Sequence, residues 1–121
     1  MLTTAIDEAA SVAVDLEGNI YVAGITLGAL SGQASAGDKD AFVRKYDASG
    51  VELWTKQFGS PESDRALGVA VDATGNVYVA GKTWGALPGQ VDAGPADAFL
   101  RKYGAGGDEV WTLQFGSSEP D

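Results

Sequence analysis

The side chains of this sequence that could do chemistry are carboxylates, amides and one loop tryptophan, because the chain contains 17 Asp and Glu residues but no Cys and no His. Thiolate nucleophiles, disulfides and the usual zinc, copper, haem and Ser-His-Asp sites therefore lack their standard residues. Any cation would have to be held by oxygen ligands. The residues that we predict to bind a ligand are Trp84, Gln33, Gln90, Asp40 and Asp97.

Each of these residues also has a structural interpretation. Asp40 and Asp97 stand directly before a strand-like segment, where a carboxylate commonly accepts hydrogen bonds from loop N–H groups and less often binds Ca²⁺. Asp38 begins a short sequence similar to a calcium loop, but the spacing of an EF-hand is absent. No cofactor and no metal site are therefore predicted, and Ca²⁺ is left open as the alternative. Trp84 could stack on a sugar ring or cover the apolar core.

Charge excludes several classes of partner and activity. Eight Lys and Arg residues against 17 Asp and Glu give a formal net charge of −9. Such a surface repels phosphate backbones, so no nucleic-acid binding is expected, and no apolar run is long enough for membrane insertion. Paired carboxylates could act as acid and base, but nothing in the sequence places two of them in one cleft. The chain is not expected to be an enzyme, and a carboxylate-based hydrolase is the least favoured function.

An internal repeat defines the elements that must position these side chains. Shifted by 57 positions, residues 7–63 align with the following unit without a gap, and about 36 of the 57 positions are identical. The chain therefore divides into residues 1–63, a first unit with a short N-terminal lead-in, and residues 64–121, a second unit. Repetition at this period is typical of arrays of identical supersecondary units.

Each unit contains four strand-like segments and no apolar pattern of helical period. Glycine and asparagine mark the tight turns between the first and second segments. The fold class predicted is all-β, with two four-stranded antiparallel sheets per chain. The segments are 9–15, 19–26, 41–46 and 51–58 in the first unit, and 66–72, 76–83, 98–103 and 108–115 in the second.

Four motifs occur in both units: D-x-x-G-N-x-Y-V-A-G-x-T, G-A-L-x-G-Q, D-A-F-x-R-K-Y-x-A-x-G and E-x-W-T-x-Q-F-G-S. In combination they resemble the SBBP-type beta-propeller repeat of bacteria and archaea. The resemblance implies two tandem propeller blades, within proteins that are often large and secreted or surface-attached. Residues 1–14 lack the basic and apolar regions of a signal peptide, so the compartment is not determined.

A propeller blade needs a neighbour on each face, and two blades leave two faces uncovered. We expect the chain either to belong to a longer array of blades or to assemble head to tail into a ring, for example of three or four copies. Aromatic residues that recur at the same phase are predicted to pack between blades. They are Trp54, Trp111, Phe58, Phe115, Phe42 and Phe99.

The function predicted from these features is that of a structural and interaction scaffold, which presents one loop face to a protein or cell-envelope partner. The long connections 27–40 and 84–97, together with 59–64 and 116–121, fall at the same end of the blades, and binding sites concentrate on long loops held by a rigid framework. The alternative is a carbohydrate-binding, lectin-like propeller with one shallow site per blade.

Overall fold

The computed structural model describes residues 7–30, 33, 39–90 and 96–116, and these residues form two four-stranded antiparallel sheets. Consecutive strands are neighbours in each sheet, and the described residues include no helix. The predicted all-β class is therefore confirmed. The strands are β1 (Asp7–Val14), β2 (Ile20–Thr26), β3 (Asp40–Tyr46), β4 (Glu52–Phe58), β5 (Asp64–Val71), β6 (Val77–Thr83), β7 (Asp97–Tyr103) and β8 (Glu109–Phe115).

The two sheets share the same strand register, including an irregularity in the first strand of each. The pairing of β5 with β6 shifts between Ala66 and Gly68, as the pairing of β1 with β2 shifts between Ala9 and Ser11. Gly81 lies opposite this irregularity, where a Cβ atom would overlap the carbonyl oxygen of Arg65. Glycine at this position therefore lets the two strands approach closely enough to pair.

The turn between β1 and β2 is held by the carboxylate of Asp15. Its Oδ1 accepts hydrogen bonds from the backbone N–H groups of Glu17 and Asn19, at 2.9 and 3.0 Å. Its Oδ2 accepts from the side-chain amide of Asn19 at 3.0 Å and from the hydroxyl of Tyr21 at 2.8 Å. Asp72 repeats this arrangement in the second sheet. The aspartate of the D-x-x-G-N-x-Y motif thus fixes the conformation of the turn through hydrogen bonds.

The pKa of Asp15 makes this turn sensitive to acid. Desolvation acts to raise that pKa, but the hydrogen bonds from Asn19, Tyr21 and Glu17 outweigh it and lower the pKa from 3.8 to about 2. The pKa of Asp72 is also lowered, since its hydrogen bonds outweigh desolvation in the same way. A lowered pKa stabilises the folded state above the unfolded-state value, and this stabilisation is lost as the pH falls through the folded-state value.

We therefore expect the temperature of unfolding to fall as the pH is lowered from about 4 to about 2. The variant Asp15→Asn/Asp72→Asn should be less stable at pH 5 and should show a smaller part of this acid-induced fall, because its turns no longer titrate. Thermal unfolding followed by circular dichroism across this pH range measures both effects. Equal pH dependence in the two proteins would contradict the assignment.

The two sheets pack face to face, and unlike faces meet at this junction. The first sheet contributes the side that carries Tyr21, Ala23, Val43 and Phe58, and all four are buried. The second sheet contributes its other side. The equivalent side of the first sheet faces away from the junction. The residues of the second sheet in this core are Ala66, Val77, Val79, Phe99 and Tyr103.

Aromatic contacts dominate the junction. The rings of Phe58 and Phe99 meet edge to face, with their centres 5.6 Å apart. Trp54 lies 6.0 Å from Tyr103, and its indole Nε1–H donates a hydrogen bond to the carbonyl oxygen of Ala105 at 3.2 Å. Edge-to-face and tilted pairs of this kind add to the stabilisation that comes from burial alone.

Not all the aromatic residues predicted to pack between blades lie at this junction. Phe42 lies on the outward face of the first sheet, and Trp111 and Phe115 lie on the outward face of the second. The physical reason is that the two sheets stack in the same orientation, so equivalent residues point in the same direction. Phe58 consequently keeps 7% of its surface exposed, whereas its equivalent Phe115 keeps 57%. Packing of these three residues against a further blade stays a prediction.

Candidate functional site

The connections between strands alternate between the two ends of the sheets. The tight turns within the pairs β1–β2, β3–β4, β5–β6 and β7–β8 lie at one end. The connections β2–β3, β4–β5 and β6–β7 lie at the other, which we call the loop face. Two of these connections are tied together, since the N–H of Trp84 donates to the carbonyl oxygen of Ser63 at 2.9 Å.

One glutamine fixes the β2–β3 connection to the last strand of the first sheet. The side-chain oxygen of Gln57 accepts a hydrogen bond from the backbone N–H of Leu30 at 2.9 Å. The backbone N–H of Gln57 donates to Oε1 of Gln33 at 2.9 Å. Its Nε2 donates to the carbonyl oxygen of Gly28 at 2.7 Å and to Oδ2 of Asp40 at 2.9 Å. A single amide side chain thereby orders the described part of the connection.

The same arrangement recurs in the second sheet around Gln114. It joins the N–H of Leu87, the side chain of Gln90, the carbonyl oxygen of Gly85 and the carboxylate of Asp97, at 2.8 to 2.9 Å. Four of the residues predicted to bind a ligand are therefore engaged within their own blade. The carboxylates of Asp40 and Asp97, the first residues of β3 and β7, are buried and accept hydrogen bonds from these glutamine side chains, so the geometry supports their structural interpretation.

A second buried carboxylate anchors the connection between the two sheets. Oδ1 of Asp64 accepts from the hydroxyls of Thr83 and Ser60 at 2.6 and 2.9 Å, and its Oδ2 accepts from the N–H of Ser60 at 2.8 Å. Burial raises the pKa of Asp64, and the charge of Asp40 adds to this, while the hydrogen bonds from Thr83 and Ser60 act in the opposite direction. A Cβ atom at Gly59 would overlap this carboxylate, which explains why glycine precedes Ser60.

The open feature of the loop face is a groove of about 260 Å³ between the two sheets, lined by Lys39, Glu62, Ser63, Arg65 and Trp84. Trp84 is 38% exposed and does not belong to the hydrophobic core, so the interpretation that it covers the core is wrong. The guanidinium of Arg65 lies 5.8 Å from the centre of the indole, within the range of a cation–π interaction.

The groove brings together two cations, the carboxylate of Glu62 and an aromatic ring. Arg101 forms an ion pair with Glu109 at 3.0 Å across the β7–β8 pair. Within the described ranges, the side chains of Lys39 and Arg65 take part in no hydrogen bond or ion pair, which is also true of Lys56 and Lys82. The groove therefore holds two unpaired cations beside an aromatic ring, in a chain with a net charge of −9.

Sequence reasoning selected Trp84 but missed the two cations beside it. The signal that could have found them is their departure from the repeat, since the rest of the loop framework is repeated. The groove as described is consequently not duplicated in the first unit. The aligned pairs are Trp84 with Leu27, Arg65 with Glu8, and Lys39 with Ala96.

Neither a metal site nor a membrane span is found in the described residues. No three or more acidic side chains in residues 7–30, 33, 39–90 and 96–116 are grouped so that they could hold a metal ion. The same part of the chain contains no helix long and apolar enough to cross a membrane. The candidate site therefore remains the groove on the loop face.

Comparison with known proteins agrees with this architecture. The SBBP beta-propeller repeat matches residues 3–30 and 53–88, and the second match runs from β4 across the junction to the end of β6. The chain is also 34% identical over 100 residues to the regulatory protein FlaEY of Caulobacter vibrioides. That alignment covers 76% of this chain and 10% of the relative, so the chain spans about a tenth of that protein's length.

Proposed function

This chain belongs to the family of SBBP beta-propeller repeats, and from that premise we propose that it acts as an interaction scaffold whose loop face binds a protein partner. The observation that supports this proposal most directly is the groove lined by Lys39, Arg65 and Trp84 together with Glu62 and Ser63. Residues of both sheets contribute to it, and the hydrogen bonds of Gln57, Gln114 and Asp64 hold the surrounding connections. A preorganised loop surface on a rigid framework is the usual location of a binding site.

The chemistry of the groove favours an acidic segment of the partner. A carboxylate could pair with the guanidinium of Arg65 and the ammonium of Lys39, while an apolar or planar side chain packs on Trp84. Tryptophan and arginine are the residue types that most often dominate the binding energy of protein interfaces. The relative in Caulobacter is named a regulatory protein.

The proposed role is not catalytic. Its support is that the buried carboxylates of Asp40, Asp64 and Asp97 accept hydrogen bonds from side chains of their own blades. Each is thereby committed to the position of a connection. A carboxylate held in this way is not free to approach a substrate.

We further propose that the outward faces of the two sheets are covered by neighbouring blades. These are supplied either by further copies of the chain in a head-to-tail ring, for example of three or four copies, or by further repeats of a longer chain. The support is that a propeller blade is stable between two neighbours, because both of its faces carry apolar side chains.

A carbohydrate ligand is the second candidate, and the half-exposed indole of Trp84 is the observation that favours it. A flat aromatic surface beside polar groups suits the apolar face of a sugar ring. The predicted pattern of one site per blade does not fit this groove, because Leu27 and Glu8 replace Trp84 and Arg65 in the first unit. A saccharide would therefore occupy a single site per chain.

Two parallel screens test the proposal: an array of Asp- and Glu-rich peptides, and a glycan array with and without Ca²⁺. We expect acidic peptides to bind, and the variants Arg65→Glu and Trp84→Ala to bind them at least about tenfold more weakly. Lys102→Glu is the matched control, since Lys102 is a cation of β7 that does not line the groove and is not the cross-strand partner of Arg65. Saccharide binding that depends on Trp84 would favour the lectin-like alternative, and the absence of peptide binding would contradict the proposal.

A further inference from the structure

The outward face of the first sheet repeats the surface that the second sheet presents at the junction. The same four residue types occur at equivalent positions of both surfaces. At the junction, this surface receives Phe58. The equivalent pairs are Val22 with Val79, Phe42 with Phe99, Arg44 with Arg101, and Tyr46 with Tyr103.

At the junction, the ring of Phe58 fills a place on the surface of the second sheet. On the outward face of the first sheet, the equivalent place is an open cavity. It has a volume of about 240 Å³, and its lining includes Val22, Phe42, Arg44 and Tyr46. In the junction, the ring of Phe58 lies 5.6 Å from that of Phe99, and the guanidinium of Arg101 lies over it at 4.3 Å from the ring centre. The cavity thus has the residues that hold a phenylalanine ring elsewhere in the same chain.

The outward face of the second sheet carries the matching projection. Phe115 and Leu113 lie on this face with 57% and 52% of their surfaces exposed, and Trp111 lies beside them on β8. Leu113 stands where the first unit has Lys56, whereas Lys82 stands on the same face where the first unit has Ile25. A cluster of exposed apolar side chains on one face indicates an interaction surface.

We infer that Phe115 of one chain inserts into the cavity beside Phe42 of a second copy of the same chain. The inference rests on the proposed scaffold role, because it extends the stacking of blades from one chain to the next. The indole of Trp111 then donates to the carbonyl oxygen of Ala48 in the second copy, as Trp54 donates to Ala105 within the chain. The projection and the cavity are different surfaces, so the contact is head to tail and can continue into a ring.

One bond of the junction is not repeated in this contact. The N–H of Val69 donates to the hydroxyl of Ser11 at 3.3 Å, and Gly68 stands at the position equivalent to Ser11. The contact between copies therefore depends more heavily on the aromatic residues than the junction does. Phe115 is accordingly the residue to change.

Light scattering after size-exclusion chromatography tests the contact. We expect the unsubstituted chain to have a mass above the 12.4 kDa of one chain, and Phe115→Glu to weaken assembly at least about thirtyfold. Val110→Glu is the matched control, because Val110 lies on the same strand with 53% of its surface exposed, at the register irregularity near the other end of β8. Assembly of this control should be unchanged.

A mixing experiment tests the head-to-tail direction. The variant Phe115→Glu retains the cavity, and Val22→Glu retains the projection, so each alone should remain a single chain. Mixed in equal amounts, they should form pairs of twice that mass. Tyr46→Glu replaces Val22→Glu if circular dichroism shows that the latter has not folded.

The inference would be overturned if the unsubstituted protein had the mass of a single chain at every concentration measured. Larger assemblies combined with a failure of the two variants to pair would also overturn it, because the copies would then meet through other surfaces. The proposed loop-face function is tested separately, by measuring binding of acidic peptides to Phe115→Glu, which leaves the groove intact. Binding there with no assembly would retain the proposed function and reject the inference.

Discussion

Replacement of Phe58 by alanine is expected to lower the free energy of unfolding by about 3 to 5 kcal/mol. Phe58 is the residue of β4 that belongs to the buried cluster of the junction, where it meets Phe99, Tyr103 and the guanidinium of Arg101. Removal of the ring leaves a cavity between two sheets whose backbones are each held by their own hydrogen bonds. The sheets cannot close this cavity without moving as units, so little of the lost packing is recovered.

Leu53→Ala is the matched control for this prediction. Leu53 lies on the same strand with 49% of its surface exposed, and its truncation should cost less than about 1 kcal/mol. Urea denaturation followed by tryptophan fluorescence gives both values, because Trp54 lies in the same junction. Equal losses of unfolding free energy in the two variants would contradict the prediction, because they would mean that packing of the two sheets against each other adds little to stability.

Replacement of Gly81 by alanine should destabilise the fold by about 3 kcal/mol or more. The added methyl group would overlap the carbonyl oxygen of Arg65, which belongs to the backbone of the neighbouring strand, and would also lie 2.9 Å from the ring of Phe99. Backbone cannot rotate away as a side chain can. Strands β5 and β6 would have to separate at the irregularity between Ala66 and Gly68, which breaks their pairing near the junction.

Gly68→Ser provides the control, because no atom lies within 4 Å of a Cβ atom at Gly68 and the first unit has Ser11 at this position. This variant should be as stable as the unsubstituted protein or slightly more stable, since serine restricts the unfolded chain more than glycine does. Chemical denaturation of both variants checks the contrast. A loss for Gly68→Ser equal to that of Gly81→Ala would contradict the argument from close strand approach.

Much of the fold could be predicted because its signals are local and occur twice. Alternating apolar residues and the D-x-x-G-N-x-Y turns place strands to within about two residues of their observed bounds, as the segment 19–26 shows beside β2 (Ile20–Thr26). The irregularity opposite Gly81 could not be predicted in this way, because it depends on how closely two strands approach. Short-range patterns carry no information about that distance.

The candidate site was predicted only in part, because repetition identifies shared framework more readily than a single binding site. Gln33 and Asp40 recur in both units, and the structure shows them bound to Gln57 within the blade. Arg65 and Lys39 do not recur, so the repeat gave no reason to select them. The groove exists because connections from two sheets meet, and each residue taken alone is an ordinary surface cation.

The sequence by itself determined the all-β class, the two repeated units and the membership of a propeller-repeat family, because hydrophobic alternation and turn residues act over a few positions and the period of 57 repeats them. Only the tertiary structure decided which equivalent residues have equivalent surroundings. Phe58 and Phe115 are the same residue in the same motif, yet one is buried and the other exposed. The physical reason is that burial depends on the neighbouring sheet, and within this chain the second sheet covers only one face of the first.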